Sequence, residues 1–216
     1  MAASNPPQPP ALQPTVRHRQ PAALRRKMLV EAARSVIATR GLHATTLRDV
    51  AAAGDVAVGT VTYHFSGIAE VLAGVLEAEM AECSAPIMAA AGLAPTGLKA
   101  LQHIVNGLLA DGNRARDHWK LWLDFWALSA RDMQYARWQA AVYDELHALV
   151  ERSIRRGRND GSIVAAGDER LAAVEFVALL DGLVVQCYLP AGKLAPAAAR
   201  TLLLAGLTQA TPPPPG

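Results

Sequence analysis

Apolar side chains recur at helical intervals from the start of the ordered-looking sequence. Leu24, Met28, Ala32, Ser35, Val36 and Thr39 fall near one side of a helix expected over about 22–40, with Arg25, Arg26 and Arg34 largely outside that side. Gly41 supplies its stop. Leu47, Val50 and Ala51, at i, i+3 and i+4, make the stripe of a short second helix. Its start signal is Thr46 followed by Asp49: the hydroxyl accepts an early backbone N–H, and the carboxylate reaches back and suits the positive helix end. Gly54-Asp55 tolerates the left-handed backbone of a tight turn, and Val56 offers an apolar side chain to the crevice beyond it. A third helix, Val58 to His64, turns Val61 and Phe65 inward and leaves Thr60, Thr62, Tyr63 and His64 on other faces. Two short helices across a sharp turn form a helix-turn-helix, and hydroxyls, a phenol and an imidazole are groups that read base edges and phosphates.

Beyond the break at Ser66-Gly67, Leu72, Val75, Leu76, Met80 and Cys83 form the stripe of a helix from Ile68 that Pro86 is expected to kink or end. Gly92 to Gly97 reads as a loop, and Leu98 to Leu109 as a helix closed by Asp111-Gly112-Asn113. The stretch Asp117 to Tyr143 holds all four tryptophans; Trp119, Trp122 and Trp126 recur at i, i+3 and i+7, and Tyr135, Trp138 and Tyr143 decorate the next helix. Such rings wall a chamber for a flat apolar molecule or a cation, or else fill the core of a helix bundle. Asp124 and Asp132 can balance a cationic ligand, although Asp132 also suits the cap of the helix after Arg131. The arginines of ERSIRRGRNDGSI read as a solvated helix end with a turn at Asn159-Asp160-Gly161, rather than a second nucleic-acid patch.

Asp168 opens a helix whose Leu171, Val174, Val177, Ala178, Leu180, Leu183, Val184 and Cys187 cover more circumference than one protomer can readily bury. Ala195 to Thr208 is similar, with Ala198, Leu202, Ala205 and Gly206 as small residues among leucines. Two such helices from each of two copies would make a four-helix dimer face; packing inside one large helical domain is the alternative.

Composition narrows the class. The 216 residues are 51% hydrophobic, enough for a sizeable core, and no run of about 18 uncharged apolar residues is available to span a bilayer. The start MAASNPPQPP lacks a signal-like apolar core, and Cys83 and Cys187 form no CxxC pair, so a cytoplasmic protein with buried thiols is expected. Residues 17–64 hold eight Lys/Arg against three Asp/Glu, a balance of +5 in a chain whose total is +2. A basic head on an acidic body directs a polyanion to the head. Residues 1–16 and 210–216, rich in proline, are expected to be disordered tails. GxGxxG, P-loop, GxSxG and HExxH signatures are absent, and His103, His118 and His147 lie on separate helices as satisfied histidines, so no catalytic residue, metal or cofactor is expected.

The helix-turn-helix resembles the TetR family of transcriptional repressors. The resemblance is carried by Gly41, Thr45-Thr46, Val50-Ala51 and Gly59-Thr60-Val61-Thr62-Tyr63-His64-Phe65, and covers about a quarter of the 216 residues. Many members have Ala-Gly-Val where this chain has Gly54-Asp55-Val56, Ser where it has Ala57 and Lys where it has Ile68; the last two departures are expected to remove two phosphate contacts, so that affinity rests more heavily on the basic arm or DNA binding is weak. WLDFWALSARD and the later ALLDGL are similar to the C-terminal domain of the choline and betaine group of that family, although the ligand does not carry over with them. A choline-like cation and amphipathic drugs or metabolites are the candidates.

The resemblance implies an all-α homodimer: a DNA-binding domain over 17–66 and a helical ligand-binding and dimerisation domain over 67–209. It would act as a repressor released from its operator by a small-molecule effector. Arg25, Thr45, Thr46 and Arg48 would grip phosphates of double-stranded DNA, Val58, Gly59, Thr60 and Thr62 would face base edges, and Tyr63 and His64 would fix register on the backbone. Trp119, Trp122, Trp126, Tyr135 and Trp138 would hold the ligand. Recognition helices of such a dimer lie about 34–36 Å apart on DNA. The competing readings are a helical small-molecule-binding protein or enzyme with a vestigial head, and a monomeric adaptor that binds only proteins.

Overall fold

The structure, a computed structural model, describes residues 21–164 and 167–208, and every regular element among them is helical. The expected tails, Arg17 and Arg19 lie outside the described residues. Helices α1 (Ala22–Arg40), α2 (Leu47–Ala53) and α3 (Val58–His64) form a small head. Its core is Leu29, Val30, Ala33 and Ile37 of α1 packed against Val50, Val61 and Phe65. This inner face of α1 differs from the expected one. Leu24 and Met28 are 46% and 43% exposed, and Ser35 and Thr39 face solvent, because two apolar clusters, Met28-Leu29-Val30 and Val36-Ile37, let the same period fit a face rotated by one residue.

The start of α2 carries the expected capping box: Thr46 accepts the Asp49 N–H at 3.3 Å, and Asp49 accepts the Thr46 N–H at 3.0 Å. The Thr46 hydroxyl, which donates to the same carboxylate oxygen at 2.5 Å, and the Thr46 N–H hold the Asp49 carboxyl below the usual range, and its other oxygen takes Arg40 of α1. In the turn it is Asp55, at φ 49°, that adopts the left-handed conformation, while Gly54 stays at φ −85°.

α4 (Ile68–Glu79) leaves the head and is not ended by Pro86. It widens into a π-helical turn at Met80–Ser84 and continues as α5 (Ala85–Leu93). Proline lacks an N–H and its ring crowds the carbonyl four residues back; the wider turn just before it, closed by the Ala85 N–H on the Met80 carbonyl, accommodates both without stopping the helix.

The body is completed by α6 (Gly97–Leu108), α7 (Asn113–Ser129), α8 (Met133–Asn159), α9 (Glu169–Tyr188) and α10 (Pro196–Thr208). Asp132 caps α8 by accepting the Gln134 N–H at 2.8 Å, and Asp168 caps α9 through Leu171 at 2.8 Å, as their types predict. α6 starts hard against α8: a Cβ on Gly97 would lie 2.1 Å from the Gly157 nitrogen and 2.2 Å from the Ser153 carbonyl oxygen, so that position accepts no side chain. The Asp160 carboxylate and Ser162 hydroxyl of the turn after α8 receive the first N–H groups of α6, from Gly97 at 2.9 Å and Leu98 at 3.1 Å.

α9 is long and apolar enough to cross a membrane by length and composition, although charged residues interrupt its apolar run. It nevertheless carries Glu175 and Asp181 and buries Val177, Leu180, Leu183 and Val184 in the core. Its opposite row, Leu171, Val174, Ala178, Leu179 and Gly182, faces outward, beside Ala198, Leu202 and Gly206 of α10. The over-wide apolar circumference thus divides into one face used by the protomer and one left on its surface.

Candidate functional site

The head displays its chemistry outward. On α3, Val61 is fully buried, whereas Val58 is 40% and Tyr63 74% exposed, Gly59 and Thr62 are exposed, and Thr60 and His64 are half-buried. Arg48 is exposed and Arg25 half-buried. The Tyr63 and His64 rings meet edge-on at 5.1 Å, which restrains both next to the open face. Arg26 is spent internally: its guanidinium lies 4.2 Å over the Phe65 ring, donates to the His64 carbonyl at 2.8 Å and pairs with Glu70 at 2.9 Å, closing the end of α3 against α4. Thr45 does not belong to the displayed set. Its side chain is buried and its hydroxyl donates to the Gly41 carbonyl at 2.8 Å, because of two adjacent threonines before a helix only one can cap while the other turns into the α1–α2 corner. Thr46 remains exposed but its hydroxyl is occupied by the cap. Ala57 leaves α3 without a side-chain cap.

The body turns its chemistry inward, around a cavity of about 630 Å³ between the π turn, α7, α8 and α9. That volume lies within the range of small-molecule sites. Trp119, Trp122 and Trp126 line it from α7, Tyr143 from α8, and Met80, Ser84 and Met88 from the α4–α5 junction. Tyr135 and Trp138 do not line it; they form a second layer, Trp138 stacked on Trp122 at 5.7 Å and Tyr135 edge-on to Phe125 at 6.0 Å. Helical spacing places aromatics on a face but cannot say which of two stacked layers touches the void. Trp119 is anchored by its indole N–H on the Leu108 carbonyl at 2.7 Å, while the buried N–H groups of Trp122 and Trp126 make no hydrogen bond among the described residues.

Neither Asp124 nor Asp132 reaches this cavity. Asp132 caps α8, and Asp124 accepts the Leu42 N–H at 3.0 Å, tying α7 to the turn after α1. The carboxylates at the cavity are Asp144, Glu145 and Asp181. Asp181 accepts the Tyr143 hydroxyl at 2.7 Å. Burial raises the Asp181 carboxyl above its usual range against the lowering effect of that bond and of His147, and burial together with Asp181 drives the Tyr143 phenol upward. The signal for Asp181 was present in the sequence as a lone acid inside the apolar run ALLDGL.

His118 also lines the cavity, and its Nδ1 donates to Glu79 Oε1 at 2.7 Å. Glu79 is 1% exposed; its Oε2 pairs with Arg34 of α1, and Arg114 approaches to 3.6 Å. Burial works to raise the Glu79 carboxyl, but the hydrogen bonds of His118 and Cys83 and the charges of His118 and Arg34 outweigh it and hold it at about 2. The Cys83 thiol is pushed up to about 11 by burial and by Glu79, so it stays protonated. Glu79, Cys83 and His118 present donor atoms within 4.8 Å of one another, a spacing a metal ion can use. Here two guanidinium groups, of Arg34 and Arg114, stand against the carboxylate charge, and the cluster forms an ion-pair network.

A helix-turn-helix head joined through one long helix to a body with a cavity of small-molecule size defines a one-component transcriptional regulator. Residues 29–75 match the bacterial regulatory protein model of the TetR family, and residues 98–212 match the model of the BetI-type transcriptional repressor C-terminal domain. The chain belongs to the TetR family, with a BetI-type C-terminal domain, and is a ligand-responsive transcriptional repressor of that non-enzymatic family. It is 28% identical over 185 residues to the HTH-type transcriptional regulator BetI of Cronobacter sakazakii, covering 83% of this chain and 87% of that protein. It is likewise 28% identical over 171 residues to BetI of Vibrio atlanticus, covering 74% and 78%. Among solved structures, a transcriptional regulator from Saccharomonospora viridis in complex with choline superposes with TM-score 0.76 at 24% identity, covering 84% of this chain and 94% of that one. One from Pseudomonas aeruginosa gives 0.74 at 24% identity, covering 88% and 92%.

Proposed function

We propose that the effector is a small organic cation with a methyl-rich ammonium head, of the choline class, and that its occupancy of the cavity lowers the affinity of the chain for its operator. The observation that carries this is the composition of the cavity wall: three tryptophans and a tyrosine with a half-buried carboxylate, Asp181, among them. Ring faces attract a cation through their quadrupoles, more strongly as water is excluded. The choline held by the Saccharomonospora viridis regulator supports the same class. Asp181, whose carboxylate also accepts the Tyr143 hydroxyl, supplies the counter-charge for such a cation at the cavity wall.

On the DNA side, Val58, Gly59, Thr60 and Thr62 face base edges, and Arg25, Arg48, Tyr63 and His64 hold the backbone, with Thr46 presenting the start of α2. Two copies associate through the outward rows of α9 and α10; at Gly182 and Gly206 an added Cβ would meet open space, so a second helix can approach closely there. The working division is a head over 17–66 and a body over 67–209, acting in the cytoplasm where the operator is.

Titration of tryptophan emission with choline chloride and with its neutral isostere 3,3-dimethylbutanol tests the ligand. Saturable change with the cation and none with the isostere is expected; equal response to both would show that charge is not read. A gel shift with duplex from upstream of the chain's own reading frame tests the head. Tyr63→Ala and His64→Ala should weaken binding to every sequence, and Arg48→Ala should lower the slope of log affinity against log salt by about 0.9. Light scattering should give a dimer that Leu202→Glu splits.

A further inference from the structure

We propose that Glu79 is the positioning residue that reports cavity occupancy to the head, through His118 on one side and Arg34 on the other. For its ligand this rests on the effector reading above; for its geometry it does not. His118 is both a wall of the cavity and, at 2.7 Å, a donor to Glu79 Oε1, and its ring meets Trp119 edge-on at 5.0 Å. The second oxygen of the same carboxylate is taken by Arg34, which belongs to α1 of the head. One planar group therefore serves two masters, and a rotation that follows His118 moves the oxygen that faces Arg34. Because Glu79 is buried, losing His118 or Arg34 leaves its charge to the other, to Arg114 at 3.6 Å and to the Cys83 thiol, so a displaced His118 is felt at the other end.

Arg34 has somewhere else to go. Its Nη1 already donates to Glu82 at 2.8 Å and lies 3.6 Å from Glu31, so a state in which it leaves Glu79 keeps its charge paired. Glu79 also stands at the last position of α4, directly before the π turn, where a helix changes register at little cost in backbone hydrogen bonds. Six residues beyond His118 on α7, Asp124 holds the Leu42 N–H, so a shift of that helix reaches the head at two points. An effector acts through this device only as far as it binds the two arrangements with different affinity.

The test uses the full chain and choline chloride, with tryptophan emission reporting binding and amide hydrogen exchange reporting α1. In the wild type, choline is expected to change exchange of α1 amides by about fivefold or more. Glu79→Gln should still bind choline yet lose the α1 response, whereas Arg34→Lys, which keeps the charge, should retain it. That rescue would not occur if the cluster served only to fill space. An α1 response in Glu79→Gln equal to the wild type overturns the relay and leaves the cavity reading standing. If choline leaves tryptophan emission unchanged, the cation reading fails instead, and the relay is judged without ligand. Arg34→Met should then speed exchange of amides 114–122 in the wild-type background and not in Glu79→Gln; equal effects in both backgrounds overturn it.

Discussion

Head and body bury their apolar residues in the same way and expose opposite things. The head packs Leu29, Val50, Val61 and Phe65 into a small core and lays its polar groups on the surface of one short helix, within seven residues of sequence. The body packs a larger core around a void and places polar groups inside it, drawn from helices spanning residues 80 to 181. A surface for DNA must meet a large rigid partner, so short-range sequence suffices to build it. A cavity for a small molecule needs walls on several sides, and only long-range packing supplies them. The cost of the second arrangement is charge withdrawn from water: Glu79 is buried and Asp181 half-buried, and each is held by named partners.

The largest expected effect separates the two regions outright. Phe65→Ala empties the centre of the head core, where the ring is 1% exposed and carries Arg26 on its face, and should cost about 3–5 kcal/mol. Loss of exchange protection across residues 22–65, with the aromatic cavity still responding to choline chloride as the wild type does, is the expected outcome; collapse of both would make the head and body one cooperative unit.

Next comes the pH dependence of the buried cluster that joins them. The Glu79 carboxyl has an ordinary value of 4.5 and is held at about 2 in the folded chain. A depressed folded value means that the folded state favours the ionised form, so its contribution is fully present above 4.5 and is lost as pH falls from there towards about 2. The contribution is on the order of 3 kcal/mol. Thermal midpoints measured between pH 6 and 3 should therefore fall more steeply for the wild type than for Glu79→Gln. Parallel curves would mean that Arg34 and His118 do not favour the ionised carboxylate.

A smaller change sharpens the body alone. Trp122→Leu keeps an apolar wall but removes a ring face, and should weaken the cation by about tenfold, the range of a desolvated cation–π contact, while duplex binding without ligand is unchanged. Isothermal titration checks the first part and a gel shift the second. The smallest expected effect is local to the head. Thr46→Ala deletes the capping box of α2 and should lower stability by about 1 kcal/mol in urea unfolding, with no change in ligand affinity.

Much of the head was legible because its rules are short-range. Thr46 with Asp49, Gly41 after Arg40, the inward pair Val61 and Phe65, and the turn at Asp55 each follow from residues no more than four apart. The mistakes there were of rotation, not of existence. α1 turned one residue from the expected face, and Thr45 turned inward to Gly41 while its neighbour capped. In the body, the positions of the helices and the tryptophan face were equally readable from periodicity and caps, including Asp132 and Asp168.

What only the tertiary structure decided is which of those groups meet. Local pattern carries no information about partners 39 or 45 residues away, the separations that join Glu79 to His118 and to Arg34, or about the 82 that separate Leu42 from Asp124. It could not choose Trp122 over Trp138 as the inner ring, Asp181 over Asp124 as the cavity acid, or a π turn over a break before Pro86. The chain by itself determined helices, caps and apolar faces, because these depend on backbone hydrogen bonding and a period of 3.6 residues. The cavity and the buried ion pairs were settled by how those faces close on one another, since desolvation and Coulomb energy depend on distance in space rather than along the sequence.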